Sequence, residues 1–193
     1  MSKHLEIETK YMLSVDSYEK LKKWMLAENA AQLEQTNFYL DTQDFQLERL
    51  DLGTRIRKGK EIELTVKINQ KEGKLEVNQL LNEKELEQFF QIGSLPNGEV
   101  KDALIKQGWH GGKLVVFAEL FTKRVELPFQ EGVLDLDESH YFDKVDYEIE
   151  FESDSLAHGT MVLQLLFRKL GIVDASPSKY TKLSRAKRAR NKK

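Results

Sequence analysis

The 193-residue sequence contains no cysteine, which excludes a disulfide framework and thiolate metal sites and is compatible with a reducing compartment. No apolar run approaches the ~20 residues that a membrane-spanning helix needs. The opening, Met1-Ser2-Lys3-His4-Leu5-Glu6, enters a charged segment at once and has no apolar signal core. A cytoplasmic protein is the expectation. Net charge is also nearly missing: 30 Lys plus Arg offset 32 Asp plus Glu, leaving -2 although 32% of residues are charged. A strong local field must therefore come from sorting of the signs along the chain. The histidines His4, His110, His140 and His158 show no ligand spacing, and Ser and His form no nucleophile motif. There is no repeat of fixed period and no low-complexity linker.

What the chain does have is alternation. In Leu5-Glu6-Ile7-Glu8-Thr9-Lys10-Tyr11 the period of two puts Glu6, Glu8 and Lys10 on one face of a strand. Two carboxylates about 7 Å apart along a strand suit a hard cation, and the ammonium beside them could reach an anion on that cation. Ser14 or Asp16 then caps a helix to about Leu26, with Tyr18, Leu21, Trp24 and Met25 on its core face. A strand over 31–41 is followed by a turn and short helix over 42–52. Next comes a hairpin, 54–57 and 61–68 around Lys58-Gly59-Lys60. In it Arg55 and Arg57 point together, and Ile62, Leu64, Val66 and Ile68 lie opposite Glu61, Glu63, Thr65 and Lys67.

A fifth strand, 74–80, carries Lys74, Glu76 and Asn78 on one face. Asn82 and Glu85 open a helix whose buried side is Leu86, Phe89 and Phe90. A short helix holds Val100, Ala103 and Leu104. Strands resume over 113–129 and 133–137. The last, Asp146-Tyr147-Glu148-Ile149-Glu150-Phe151-Glu152, repeats the first strand's pattern with more acids. A long apolar helix over 155–170 stops at Gly171, and Pro177 suits the first turn of a final helix. The basic end, Arg185 to Lys193, reads as a solvated helix terminus without interleaved aromatics for base stacking. One α+β domain over 1–193, dominated by antiparallel strands, accounts for the chain.

An antiparallel sheet with one wet face shows the same alternation. Yet acids are sorted into the first, seventh and eighth strands and cations into the third and fourth, whereas a merely solvated face would mix signs. At least three amphipathic helices are at hand to cover the apolar faces. A sheet closed on itself would turn these charges inward. That is tolerable if the interior stays wet or holds a metal and a polyanion, with carboxylates on the cation and guanidinium groups forked onto phosphate. Periodicity alone does not separate a closed sheet from an open one.

Glu6-x-Glu8-x-Lys10 resembles the opening signature of the CYTH superfamily, the triphosphate tunnel metalloenzymes. The resemblance continues through Tyr39-Leu40-Asp41-Thr42, Arg55-Ile56-Arg57, Leu64-Thr65-Val66-Lys67 and Thr122-Lys123-Arg124. It extends to Leu136-Asp137, Glu148-Ile149-Glu150 and Ser178-Lys179-Tyr180, in order from residue 4 to about 185. The chain is most similar to the short single-domain members from Firmicutes that are often labelled adenylate cyclases.

The resemblance implies an eight-stranded antiparallel β-barrel forming a tunnel with flanking helices, acting on triphosphates with Mg2+ or Mn2+. Carried over by position, Glu6, Glu8, Glu148 and Glu150 are metal ligands, with Asp137 and Glu76 contributing directly or through water. Lys10, Arg55, Arg57, Lys67, Arg124 and Lys179 grip the triphosphate, and Lys10, Arg55 and Arg57 form the catalytic set. Three functions are open: a metal-dependent triphosphatase, a class IV-type adenylate cyclase, and a module that binds triphosphate or polyphosphate without turnover. The expected partner is a triphosphate-containing small molecule. Neither a membrane nor a nucleic acid is expected, and a homodimer is left open.

Overall fold

The computed structural model describes residues 2–190; of the basic end, residues 191–193 lie outside the described residues. The chain divides into two compact units. The first takes the residues up to Leu5 and Gln35–Leu120; the second takes Glu6–Glu34 and the chain from Phe121 onward. No helix among the described residues is long and apolar enough to cross a membrane.

In the first unit the hydrogen-bonded strand order is β1 (Ser2–Glu6), β6 (Lys74–Leu81), β5 (Ile62–Asn69), β4 (Leu52–Lys58) and β3 (Ala31–Asp41). The expected short helix, α2 (Gln46–Arg49), lies between β3 and β4; the expected hairpin also forms, and its register sets the two faces. Leu52, Thr54 and Ile56 oppose Ile68, Val66 and Leu64 on one side; Gly53, Arg55 and Arg57 oppose Lys67, Thr65 and Glu63 on the other. The apolar side packs against α3 (Glu83–Ile92) and α4 (Glu99–Lys106), with Ile56, Leu64, Val66, Val100 and Leu104 fully buried. Each such side chain contributes about 1.5–3 kcal/mol by leaving water. Asn82 and Glu85 form the anticipated capping box at the start of α3. Leu86 and Phe89 face inward, but Phe90 is half exposed and instead meets Phe38 edge-on, with ring centroids 5.2 Å apart. At the far end of α3, Gly93 turns at φ +70°.

In the second unit the order is β7 (Val115–Phe129), β8 (Gly132–Tyr141), β9 (Lys144–Glu152), β2 (Glu8–Leu13) and β10 (Ser176–Pro177). One face of it, Val125, Leu127, Leu134, Leu136, Ile149 and Phe151, is apolar. It packs on Tyr18, Leu21 and Met25 of α1 (Val15–Ala27) and on Val162, Leu163, Leu166 and Phe167 of α5 (Leu156–Leu170). Ser14 and Ser155 cap these helices, and Gly171 ends α5 in the left-handed region. The opposite face holds the acids, and the last helix, α6 (Lys182–Arg190), lies on it.

The antiparallel α+β expectation holds, but among the described residues the strands number ten, not eight. The predicted first strand is two: β1 ends at Glu6 and pairs with β6, whereas β2 starts at Glu8 and lies between β9 and β10. The break falls at Ile7, whose carbonyl accepts from the Ser153 amide at 3.1 Å. The other additional strand is β10, where Ser176 and Pro177 pair with Met12 and Tyr11. Pro177 therefore sits in an edge pairing, which does not need its missing N–H, and not in a helix. The final helix starts at Lys182.

Candidate functional site

The carboxylates of the second unit are assembled by register. Asp137 lies opposite Glu148, and Asp135 opposite Glu150, across β8 and β9. Lys10 pairs with Glu150 across β2 and β9, and Arg124 with Asp137 across β7 and β8. Asp137, Glu148 and Glu150 each offer an oxygen within 4.8 Å of the others, and all three side chains are buried. These are hard donors of the kind that bind Mg2+ or Mn2+, so the residue set fits a divalent cation.

Four cations reach into this cluster. Arg124 forks onto Asp137, Nε to Oδ1 at 2.8 Å and Nη2 to Oδ2 at 2.7 Å, and also pairs with Asp135 and Glu150. Lys10 donates to Glu150 Oε1 at 3.0 Å and to Glu8 Oε1 at 2.5 Å. Lys182 pairs with Asp137, Glu148 and Glu150 together. Arg185 meets Glu148 Oε2 at 2.7 Å and Asp146 Oδ2 at 2.7 Å. Buried charges survive only when paired this fully.

The titration behaviour follows from this network. Burial alone would raise the carboxyl of Glu150, but Lys10, Lys182 and Arg124 hold it well below the ordinary range. Asp137 is likewise lowered, with burial outweighed by Arg124 and Lys182. Asp135 goes the other way. Burial, seconded by the Asp137 and Glu150 charges, overrides Arg124 and pushes it up to about 7. Burial would lower the Lys10 ammonium, yet Glu150 and Glu8 raise it.

The first unit carries a second polar row. Glu76 is buried, pairs with Lys67 and lies 3.7 Å from His4 Nε2. Its carboxyl is lowered to about 2, because Lys67 and Arg55 together outweigh the effect of burial. Arg57 Nε donates to Asn37 Oδ1 at 3.3 Å. Arg55 Nε is buried without a hydrogen-bond partner, as is Asn78 Oδ1. An unanswered guanidinium donor is costly unless an acceptor arrives, and a phosphate oxygen is such an acceptor.

Of the sequence-predicted metal ligands, the structure groups Asp137, Glu148 and Glu150. Glu8 is tied to that trio through Lys10. Glu6 is the half-buried last residue of β1, and Glu76 belongs to the other cluster. Among the predicted phosphate contacts, Lys10 and Arg124 lie in the carboxylate cluster, and Arg55, Arg57 and Lys67 in the first unit's row. Lys179 is exposed. Sequence reasoning missed Lys182, which it assigned to no site, and Arg185, which it took for the start of a solvated tail. The signal was there: Lys182, Arg185, Ala186 and Ala189 recur at helical spacing, one cationic and apolar stripe.

Known proteins bear on this arrangement. "Putative triphosphatase YjbK" of Bacillus subtilis is 34% identical over 175 residues, covering 89% of this chain and 90% of the relative. The crystal structure of a "putative adenylate cyclase" from Bacillus halodurans superposes with TM-score 0.85 at 32% identity, covering 96% of this chain and 98% of that one. The Hippeastrum protein HpAC1, described as having a dominant triphosphatase activity, gives TM-score 0.83 at 22% identity, with 96% of both chains covered. The profile of the CYTH domain matches residues 4–182. With that span, and with the YjbK relative alongside, the chain belongs to the CYTH family.

Proposed function

We propose that the protein is a divalent-metal-dependent triphosphatase that releases the terminal phosphate from inorganic triphosphate or from a small organic or nucleoside triphosphate. The observation that carries this is the buried trio Asp137, Glu148 and Glu150. The name of the Bacillus subtilis relative and the triphosphatase activity described for HpAC1 point the same way. Asp137, Glu148 and Glu150 would hold the ion, and Glu6, Glu8 and Glu76 complete the candidate carboxylate set. When bound, Mg2+ or Mn2+ supplies positive charge that offsets the triphosphate oxygens and favours attack by water.

The chain's own cations do the rest. Arg55, Arg57, Lys67, Lys10, Arg124 and Lys179 bind and orient the phosphoryl groups, and Arg55 has an Nε donor already desolvated for that task. In phosphoryl transfer such placement of charge is most of catalysis. The whole chain would act as one CYTH domain. The substrate would be a small molecule met in the cytoplasm.

Phosphate release from inorganic triphosphate with Mg2+ or Mn2+ tests this directly. Glu148→Gln is expected to abolish it, by at least about 100-fold (about 2.7 kcal/mol), while the circular dichroism of the fold is kept. Undiminished release from that variant overturns the assignment. A cyclase would instead convert ATP to cyclic AMP and pyrophosphate, so product analysis with ATP separates that reaction from hydrolysis. Tight triphosphate binding without turnover under either metal would mark a binding module.

A further inference from the structure

Lys182 occupies the centre of the carboxylate trio. Its Nζ lies 2.9 Å from Asp137 Oδ2 and 2.9 Å from Glu150 Oε2 and also pairs with Glu148 Oε1. The ammonium thus stands within ion-pair distance of all three members of the trio at once. The side chain is only 12% exposed. These are the three residues whose oxygens cluster tightly enough to hold an ion.

We propose that Lys182 is the internal counter-ion that a divalent cation replaces, so that docking of α6 and loading of the metal are alternatives. The helix is then a latch held shut by the charge that the metal neutralises. The inference rests on the proposed assignment of the trio to a metal.

The rest of α6 supports the exchange. Its buried residues are Ala186 and Ala189, too small to anchor a helix by apolar area. Its first turn contains no acid, and Lys182 opens it, placing a cation at the positive end of the helix dipole. The docked position is therefore held by the acids beneath: Asp137, Glu148 and Glu150 under Lys182, and Glu148 and Asp146 under Arg185. Once an ion takes the trio, Lys182 loses all three partners, while Arg185 keeps Asp146 and its bonds to the Tyr180 carbonyl and Ser178 Oγ in the segment just before the helix.

Two measurements on the full chain decide this. Amide exchange over 182–190 is followed with and without Mn2+, and Mn2+ affinity is measured by calorimetry for the wild type and for Lys182→Met. The expected result is that Mn2+ speeds exchange in α6 about tenfold or more, and that Lys182→Met binds Mn2+ about tenfold more tightly, roughly 1.4 kcal/mol. Binding of Mn2+ with equal affinity by both proteins, leaving α6 equally protected, overturns the latch but keeps the metal site. No Mn2+ binding by either protein overturns the metal assignment and the latch with it. Should the variant fail to fold, the wild-type exchange experiment alone still gives one of these outcomes.

Discussion

Arg124 and Asp137 face each other across β7 and β8 and are joined at two points, by bonds of 2.8 Å and 2.7 Å. Asp137 is fully buried, so its charge depends on that guanidinium and on Lys182. Arg124→Met would leave Asp137 with one cation and Asp135 with none of its present ones. Removing one partner of a buried pair typically costs about 3–5 kcal/mol. Because Lys182 remains, a loss near the lower end, about 3 kcal/mol, is expected in urea unfolding without added metal. Loss of less than ~1 kcal/mol would mean that the cluster is solvated and the pair unimportant.

Arg55 offers a different kind of test, because its Nε has no partner to lose. Arg55→Lys keeps the charge but removes the forked donor geometry, so the exchange is not conservative at a phosphate contact. Activity on inorganic triphosphate is expected to fall by about 10²-fold or more, equivalent to about 2.7 kcal/mol in the transition state. Stability should change by under ~1 kcal/mol. A variant that keeps full activity would remove Arg55 from the set that holds the substrate.

Much of this geometry was legible before the fold. Strict alternation in 62–68 and 146–152 assigned Lys67, Glu148 and Glu150 to polar faces, because a one-residue slip would expose every apolar neighbour. What could not be read depended on pairings too short to leave a period. Ser176 and Pro177 bond to Met12 and Tyr11 over two residues only, yet this places the chain that leads into α6. Without it Lys182 and Arg185 look like solvent-facing charge. The break at Ile7 is similarly invisible, since the alternation of Glu6, Glu8 and Lys10 runs through it unchanged.

Gly93 ends α3 at φ +70°, and a Cβ there would stand 2.6 Å from the Leu114 carbonyl oxygen. The Leu114 amide also donates to the Gly93 carbonyl at 2.8 Å, so neither backbone can move away without losing that bond. Gly93→Ala therefore combines a left-handed penalty of about 1–2 kcal/mol with a backbone clash. A loss of about 2 kcal/mol or more is expected in chemical denaturation, with the m-value unchanged. A neutral substitution would show that the turn relaxes freely.

Asp135 contributes to the pH dependence of the metal-free protein in the sense opposite to the other buried acids. Its Oδ1 is buried without a partner, and burial with the neighbouring Asp137, Glu150 and Glu126 charges raises its carboxyl to about 7 against the opposing pull of Arg124. In the unfolded chain the same group ionises near the ordinary Asp value of about 3.9. Between these two values the folded state binds more protons than the unfolded state, so stability falls as pH rises. The contribution of protonated Asp135 is full below about pH 4 and is gone once pH has passed about 7. Its size is bounded by the shift at about 4 kcal/mol. Glu76, Asp137 and Glu150 act in the opposite sense: their carboxyls are held low, and the stability they contribute is lost as pH falls below the ordinary carboxyl range. Asp135→Asn keeps an oxygen for Arg124 and cannot ionise. Urea unfolding of both proteins at pH 5, 6, 7 and 8, without added divalent ion, should show the variant gaining on the wild type by about 1 kcal/mol per pH unit up to pH 7 and levelling off at pH 8. A stability difference that stays constant over the whole series would mean that Asp135 is already ionised at pH 5, with Arg124 prevailing over burial.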